Sequence, residues 1–385
     1  LEKELVWAEI DLSAIAANTR ALKRLLAPGC RLMAVVKADG YGHGAIETAK
    51  TALQNGAEHL AVARLAEGMA LRKAGIEAPI LIFGYTPSEN VPQLIAHDLT
   101  PTVYSLASAR ACAEIAAASG KILPIHIKVD SGMGRLGFLP DRLKTGDRGP
   151  TDNRQMVNDI QSIARLRSLK LEGIYTHFAA ADSADKTYSN QQLDLFLTVL
   201  QQLEAKGVGF EFRHAANSAA TIDLPQAHLD MVRPGVSIYG FYPSGEVDME
   251  RVSLRPAMTL KTRIIQLKEV PAGFNISYGM TYSTSRPTTI ATVPLGYADG
   301  YSRRLSSRGQ MIAGGIRVPI VGRVCMDLTM LDVGKVRDLK PGDEVVAFGR
   351  QQEAEISADE LAAGLGTINY EIVSSLTARV PRIFK

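Results

Sequence analysis

Cysteine is scarce in this chain of 385 residues: Cys30, Cys112 and Cys325 stand far apart, are odd in number and form no CxxC pair. That argues against a disulfide framework or a cysteine zinc site, predicts no metal, and fits a reducing, cytoplasmic compartment. No apolar run reaches the roughly 18 residues of a membrane helix. Short repeats and low-complexity tracts are also missing. The opening LEKELVWAEIDL does not have the build of a secretory signal. It begins with Leu rather than Met, which leaves open a leader removed before Leu1. An excess of one charge is missing too. The net charge of +3 offers no handle for nucleic acid or a membrane surface.

What is present is the composition of a globular protein, 46% hydrophobic and 22% charged. The length suits one large domain plus a smaller one. Eight short apolar runs occur in order: RLMAVV, HLAVA, PILIF, PTVYS, PIHIKV, LEGIYT, FEFRH and LDMVR. Helix-like stretches separate most of them, among them GAIETAKTALQN, LAEGMALRKAG, LASARACAEIAAAS and NQQLDLFLTVLQQLEAKG. This alternation predicts a parallel sheet covered by helices, and eight strands close a (β/α)8 barrel. An open doubly wound sheet is the alternative.

From about Leu254 the pattern turns β-branched, in AMTLKTRIIQLKEV, TTIATVPLGY, RVPIVGRVCMDLTMLDV and DEVVAFG. The reading is a barrel over 1–247 and a mostly-β domain over 248–385, with the first residues able to pack with the latter. A helical stretch near SADELAAGLG and another after TINYEIVSSL close the chain. The polar run from Thr145 to Gln155 reads as an exposed loop.

Catalytic groups of such barrels sit at the C-terminal ends of the strands. Here those ends carry Lys37, then Lys128 and Asp130 with Arg135 just beyond, then His177, His214 and Arg233. Any one of these is most simply a solvated cap or a structural histidine. Five strand ends out of eight bearing such groups is a pattern. GMGRLG, Gly132 to Gly137, matches a dinucleotide fingerprint but lies in the fifth unit and runs into Pro140. Its glycines read instead as room for Arg135 and the backbone to approach a ligand. Ser218, Gly235 and Val236 could offer hydroxyl and amide donors to a phosphate, or form ordinary tight turns.

Nine blocks, in order, resemble the bacterial alanine racemases. They are AVVKADGYGHGA, HIKVDSGMGRLGF, GIYTHFAAAD, RHAANSAA, VRPGVSIYG, SYGMTY, PLGYADGYSR, GRVCMDLTM and TINYEI, and they cover essentially the whole chain. The resemblance implies a barrel followed by a β domain, paired head to tail as a homodimer with shared active sites. It implies interconversion of L- and D-alanine with pyridoxal 5'-phosphate, supplying D-alanine for peptidoglycan. Lys37 would bind the cofactor covalently and act as one base, and Tyr278 of the other subunit would be the second. Tyr41, Asn217, Ser218, Gly235, Val236 and Tyr370 would hold the cofactor, mostly through its phosphate. Arg233 would face the pyridine nitrogen. Arg135 would meet the cofactor's phenolic oxygen and the substrate carboxylate, with the Met326 amide. His177 would lie against the ring and tune Tyr278. Lys128 matches a lysine that is carbamylated in some members. Tyr297 and Arg303 would line the access channel, or form an ordinary surface loop.

The chemistry is coherent with these assignments. Racemisation needs a base on each face of Cα. A tyrosine, with a free pKa near 10, needs cationic neighbours to serve as one. An arginine at the pyridine nitrogen is a donor only, so that nitrogen stays unprotonated and the ring is a weaker electron sink. Tyr278 and Tyr370 would leave room for little more than a methyl group, and serine could enter slowly. The alternatives are a racemase of broader or serine specificity, a non-catalytic cofactor-binding barrel, and a basic amino-acid decarboxylase. The C-terminal region argues against the carrier, and Arg233 and Tyr278 argue against the decarboxylase. Cys325, beside Met326, reads as a buried structural cysteine.

Overall fold

Apolar runs that are buried on both faces have no reason to alternate, and parallel barrel strands are such runs. The computed structural model describes residues 4–141, 143 and 153–385. The chain opens with strand β1 (Val6–Ile10) and helix α1 (Leu12–Arg24). Then come β2 (Arg31–Val35), α2 (Ala45–Gln54), β3 (His59–Val62), α3 (Leu65–Lys73) and β4 (Ile80–Ile82). They are followed by α4 (Val91–Ala96), β5 (Thr100–Val103), α5 (Leu106–Ala118) and β6 (Leu123–Lys128). The alternation continues with α6 (Arg154–Ala164), β7 (Leu169–Tyr175), α7 (Thr187–Glu204), β8 (Phe212–His214), α8 (Ser218–Asp223) and β9 (Met231–Val232).

Strands β2 to β9 close into a parallel barrel, with β2 paired to β9 through Arg31–Met231 and Leu32–Val232. That last pairing decides against the open sheet. The polar run expected as a loop lies, over 145–152, outside the described residues. At its end Arg154 and Gln155 already belong to α6. The apolar positions of this helix, Met156, Val157, Ile160 and Ile163, fall on one helical face, a periodicity the sequence reading passed over.

By its internal contacts the chain divides into two compact units. A barrel unit holds Ala14–Gly40 and Ala45–Arg255, and a β-rich unit holds Leu1–Ser13, Tyr41–Gly44 and Pro256–Lys385. In the β-rich unit the strands are β10 (Met258–Arg263), β11 (Gln266–Val270), β12 (Asn275–Ile276), β13 (Tyr282–Ser283), β14 (Thr288–Val293) and β15 (Gln310–Ala313). Next are β16 (Ile316–Pro319), β17 (Thr329–Asp332), β18 (Glu344–Gln351) and β19 (Ala354–Ile356). Helices α9 (Ala358–Leu365) and α10 (Asn369–Ser374) lead to β20 (Arg382–Phe384). The helix expected after TINYEIVSSL therefore lies inside that stretch, and a strand follows it.

The main sheet runs β16-β15-β18-β10-β1-β20, with β19 added to β18. β1 is thus a strand of this sheet, antiparallel to β10 and parallel to β20. The segment Tyr41–Gly44 joins the same unit by close backbone approach. A Cβ built on Gly42 would fall 2.1 Å from the Val373 carbonyl oxygen, and the residue sits at φ +81°. Only glycine fits there.

One buried side chain ties α1 to the end of the barrel unit. Asn18, 1% exposed, donates to the carbonyls of Ile238 (3.0 Å) and Arg255 (2.8 Å) and accepts from the Arg255 N–H (2.8 Å). Leucine has a similar size but none of these partners. Asn18→Leu strands three backbone groups and should cost about 2–4 kcal/mol. Thermal unfolding of the variant should show a fall in Tm of several degrees, and an unchanged Tm would refute the role.

Candidate active site

Lys37 follows β2 by two residues, and the backbone after it turns the wrong way for L-residues. Ala38 (φ 53°, ψ 51°), Asp39 (52°, 49°) and Gly40 (62°, 44°) are left-handed, and Tyr41 follows at φ 52°. Each non-glycine residue there costs about 1–2 kcal/mol. Carboxylates hold the turn. Glu67 accepts the Ala38 N–H through one oxygen (2.7 Å) and those of Ala63 and Arg64 through the other (2.8 and 2.9 Å). Asp39 accepts from the Ala45 N–H at 3.0 Å. Lys37 itself is half-buried, and burial together with the field of Arg135 pulls its pKa below the usual lysine range.

The loop after β6 is built around Asp130. One carboxylate oxygen accepts the N–H groups of Gly132, Met133 and Gly134 at 2.8–3.0 Å, and the other accepts that of Arg135 at 2.9 Å. After the desolvation that opposes it, this cradle leaves the Asp130 pKa lowered. Gly132 and Gly134 of GMGRLG thus serve this cradle, a role the sequence reading did not give them. Their amides face the protein's own carboxylate, and a Cβ on Gly137 would lie 2.3 Å from the Asp130 nitrogen. The result is a fixed base for Arg135, whose side chain is exposed. Lys128 is 4% exposed and lies over the Tyr175 ring, 5.6 Å from its centroid. Burial, with Arg135 and Arg233 nearby, pushes its pKa down to about 8.

Arg233 is buried against acceptors. Nη2 donates to the carbonyls of Thr176 (2.7 Å) and Ala215 (3.0 Å), and Nη1 lies 2.9 Å from His214 Nδ1. Its own N–H donates to the Ala216 carbonyl at 2.9 Å. Burial lowers its pKa to about 10, so it stays a cation at neutral pH. His177 Nδ1 is 3.5 Å from Nη2, and removal from water plus the fields of Arg233 and Arg135 keeps His177 uncharged. Beside these groups the Ser218 hydroxyl accepts the N–H of Gly235 at 2.8 Å, and of Ser237 at 3.4 Å. Ser218 begins α8, and Val236 begins a 3-10 turn, Val236–Tyr239. The first N–H groups of both turns have no partner within their own turn. Asn217 caps α8, its side-chain oxygen accepting from the Ala220 N–H at 3.0 Å.

The barrel unit thus collects Lys37, Lys128, Arg135, His177, Asn217, Ser218, Arg233, Gly235 and Val236. The β-rich unit holds Tyr41, Tyr278, Tyr297, Arg303, Met326 and Tyr370. Within it Tyr41 and Tyr370 are ring neighbours, 6.1 Å between centroids, and burial raises the Tyr41 pKa. Tyr278 is 72% exposed in a strained turn, with Ser277 at φ 65° and Met280 at φ 48°. Its carbonyl accepts from Arg323 Nε at 3.2 Å. The carbonyls of Cys325 and Met326 accept from the N–H groups of Tyr297 and Ala298, each at 3.0 Å. Met326, Tyr297 and Arg303 are exposed. Cys325 is half-buried rather than buried. Its sulfur lies 3.5 Å from the Ser277 hydroxyl, because its strand-flanking loop faces the Tyr278 turn rather than the core.

Four side chains near these groups were given no role by the sequence reading: Glu67 and Glu172, which lie outside the blocks that carry the resemblance, and His126 and Tyr175, which lie inside HIKVDSGMGRLGF and GIYTHFAAAD. Glu67 acts on backbone amides, and no side-chain pattern signals that. Tyr175 and His126 read as interior strand residues. The alternation around β6 and β7, which puts every second side chain inside the barrel, is the one signal that could have found them.

A family model for the alanine racemase N-terminal domain matches residues 10–243, and one for the C-terminal domain matches 257–384. An alanine racemase of Desulfosudis oleivorans is 54% identical over 98% of this chain and 96% of its own. The solved alanine racemase of Clostridium difficile 630 superposes with a TM-score of 0.94 at 42% identity, covering 100% of this chain and 97% of that one. A second structure of it, in complex with cycloserine, gives 0.91 at 40% identity, with 100% and 96% covered.

Lys128 generates a pH prediction. Its pKa is about 8 when folded against an ordinary 10.5. Between those values the unfolded chain takes up a proton that the folded chain does not, so stability rises with pH there. Below pH 8 the cost of the buried charge is fully present. In bicarbonate-free buffer Lys128→Met should therefore gain Tm relative to the parent at neutral pH, and the gain should shrink as the pH approaches 10.5. A pH-independent difference would show that Lys128 is not desolvated.

Proposed function

The chain belongs to the alanine racemase family, and on that premise we propose that it interconverts L- and D-alanine using pyridoxal 5'-phosphate. The observation that carries the reading is Arg233, a buried cation held by acceptors inside the barrel, near Lys128 and His177. The mouth fits this cofactor. A lysine with a lowered pKa is suited to covalent attachment, and Ser218, Gly235 and Val236 form a small donor cluster suited to a phosphate. Arg233 can only donate, which suits a pyridine nitrogen that accepts. When bound, the cofactor supplies the electron sink that makes the Cα–H of an attached amino acid acidic.

The residues of the chain then divide the remaining work. Lys37, whose pKa lies below the ordinary lysine range, takes and returns the proton on one face. Tyr278 serves the other face, and its exposure fits insertion into a second copy of the chain. Arg135, rigidly based on Asp130, binds the substrate carboxylate with the help of the Met326 amide. His177 stays neutral and links Tyr278 to Arg233. Tyr41 and Tyr370 complete the phosphate pocket, and Asn217 holds its α8 wall in place. Lys128, neutral in part near pH 8, is poised to take up carbon dioxide as a carbamate that would pair with Arg135. Tyr297 and Arg303 line the way in.

This reading requires a homodimer, in which the barrel over 1–247 and the β-rich part over 248–385 of different protomers share each site. Exposed large apolar side chains such as Tyr278, Met280, Met326 and Ile368 are ones that such pairing would cover. It also makes the protein a cytoplasmic source of D-alanine for peptidoglycan. Three unpaired thiols fit that compartment.

The test begins with the visible absorption band of the purified holoenzyme, expected to vanish in Lys37→Ala. A coupled assay should then detect D-alanine formed from L-alanine. Tyr278→Phe should lower the rate by about 10²–10⁴-fold. A protein that binds the cofactor yet converts no alanine would end the proposal. A separate outcome concerns Arg233: Arg233→Glu should raise transamination relative to racemisation, and an unchanged product ratio would remove the electronic argument.

A further inference from the structure

Arg233 is the end of a longer hydrogen-bonded chain. From His214 Nδ1, which faces the guanidinium at 2.9 Å, the chain crosses the imidazole to Nε2, 2.9 Å from His126 Nδ1. It crosses that ring in turn to Nε2, which lies 3.5 Å from a carboxylate oxygen of Glu172. Lys170 Nζ lies 3.3 Å from the other Glu172 oxygen. Both histidines are buried.

The protons on this chain are fixed by its two ends. A guanidinium has no acceptor, so His214 Nδ1 must accept and the proton of a neutral ring must sit on Nε2. That N–H needs an acceptor, which makes His126 Nδ1 bare and puts its proton on Nε2 as well. An ionised carboxylate accepts only, and it faces that last N–H. Reversing the protons would set N–H against N–H at Arg233 and leave a bare nitrogen facing a carboxylate at Glu172. Only one direction satisfies every link. Burial keeps both rings in the uncharged form that this direction requires.

The surroundings are shaped for the two rings. A Cβ on Gly173 would lie 2.5 Å from His126 Cε1, so the His126 ring occupies the space of a missing side chain. The Tyr175 ring stacks on His214 at 4.8 Å with planes 12° apart.

We propose that Glu172 and His126 are positioning residues for Arg233: the carboxylate sets the tautomer of His126, His126 sets that of His214, and His214 thereby presents the acceptor that aims the guanidinium. This rests on the reading that Arg233 faces the cofactor's pyridine nitrogen. Neither residue touches substrate or cofactor. A chain set the wrong way would cost Arg233 one of its three acceptor groups and loosen its aim.

The experiment is 15N spectroscopy of the cofactor-free chain labelled at histidine, with signals assigned by single replacements at the other histidines. His126 and His214 should both be neutral Nε2–H tautomers from about pH 6 to 9. In Glu172→Ala only the Arg233 end still opposes reversal, and water at the other end can donate as well as accept, so the reversed Nδ1–H tautomers should become populated in both rings. Glu172→Asp keeps a group that can only accept and should restore the single tautomer, whereas Glu172→Gln, whose amide can also donate, should not. In the holoenzyme Glu172→Ala should lower kcat about tenfold with KM little changed, and Glu172→Asp should stay near the parent. An Nδ1–H or doubly protonated ring in the parent chain would overturn the proposal, and so would unchanged tautomers in Glu172→Ala. A parent chain that fails to racemise alanine would end the functional reading while leaving the tautomer result standing.

Discussion

A full positive charge stands inside the barrel with almost no access to water, and the rest of the mouth is arranged around it. Taking a guanidinium out of water is costly unless its donors are met. Arg233 meets them with carbonyls from the segments after β7 and β8 and with a histidine at the end of β8. No carboxylate is among these partners, so the charge is solvated without being cancelled. Burial lowers the proton affinity of Lys37, Lys128 and His177, and the fields of Arg233 (at Lys128 and His177) and of Arg135 (at all three) add to it. The mouth is therefore rich in donors and poor in anions. That is what an anionic ligand with a basic ring nitrogen requires.

The second constraint is backbone geometry. The left-handed turn after Lys37 is unfavourable by itself and persists because Glu67 and Asp39 hold its amides. The Asp130 loop uses the same device, one carboxylate collecting four successive amides. In both places an acidic side chain organises backbone so that a basic side chain is presented from a rigid base. Preorganisation of this kind keeps the basic groups from spending binding energy on their own ordering.

Much of this was legible in the residues. Buried parallel strands appear as apolar runs, so all eight barrel strands and the positions of Lys37, Lys128, His177, His214 and Arg233 at their ends could be read directly. Helices rich in alanine and other strong helix formers, such as α5, were equally plain, whereas α1, α4 and α6 were not. The second role of the glycine run in GMGRLG was not legible, because glycine reports freedom of the backbone, not what the freed amides will bind. Glu67 and Glu172 look like surface acids, since their partners are amides and a ring brought near by folding. The exposure of Cys325 and the strain around Tyr278 belong to loop geometry, which no spacing encodes.

The chain passes between its two compact units four times, at Ser13–Ala14, Gly40–Tyr41, Gly44–Ala45 and Arg255–Pro256. Four residues of the second unit, Tyr41–Gly44, thus interrupt the first only four positions after Lys37. The two halves of the gene are consequently not exchangeable cassettes. A graft joined at Arg255–Pro256 would carry away the sheet but leave behind β1 and the Tyr41 segment that complete it. Evolution of this chain must change the two units together, and so must any recombination made in the laboratory.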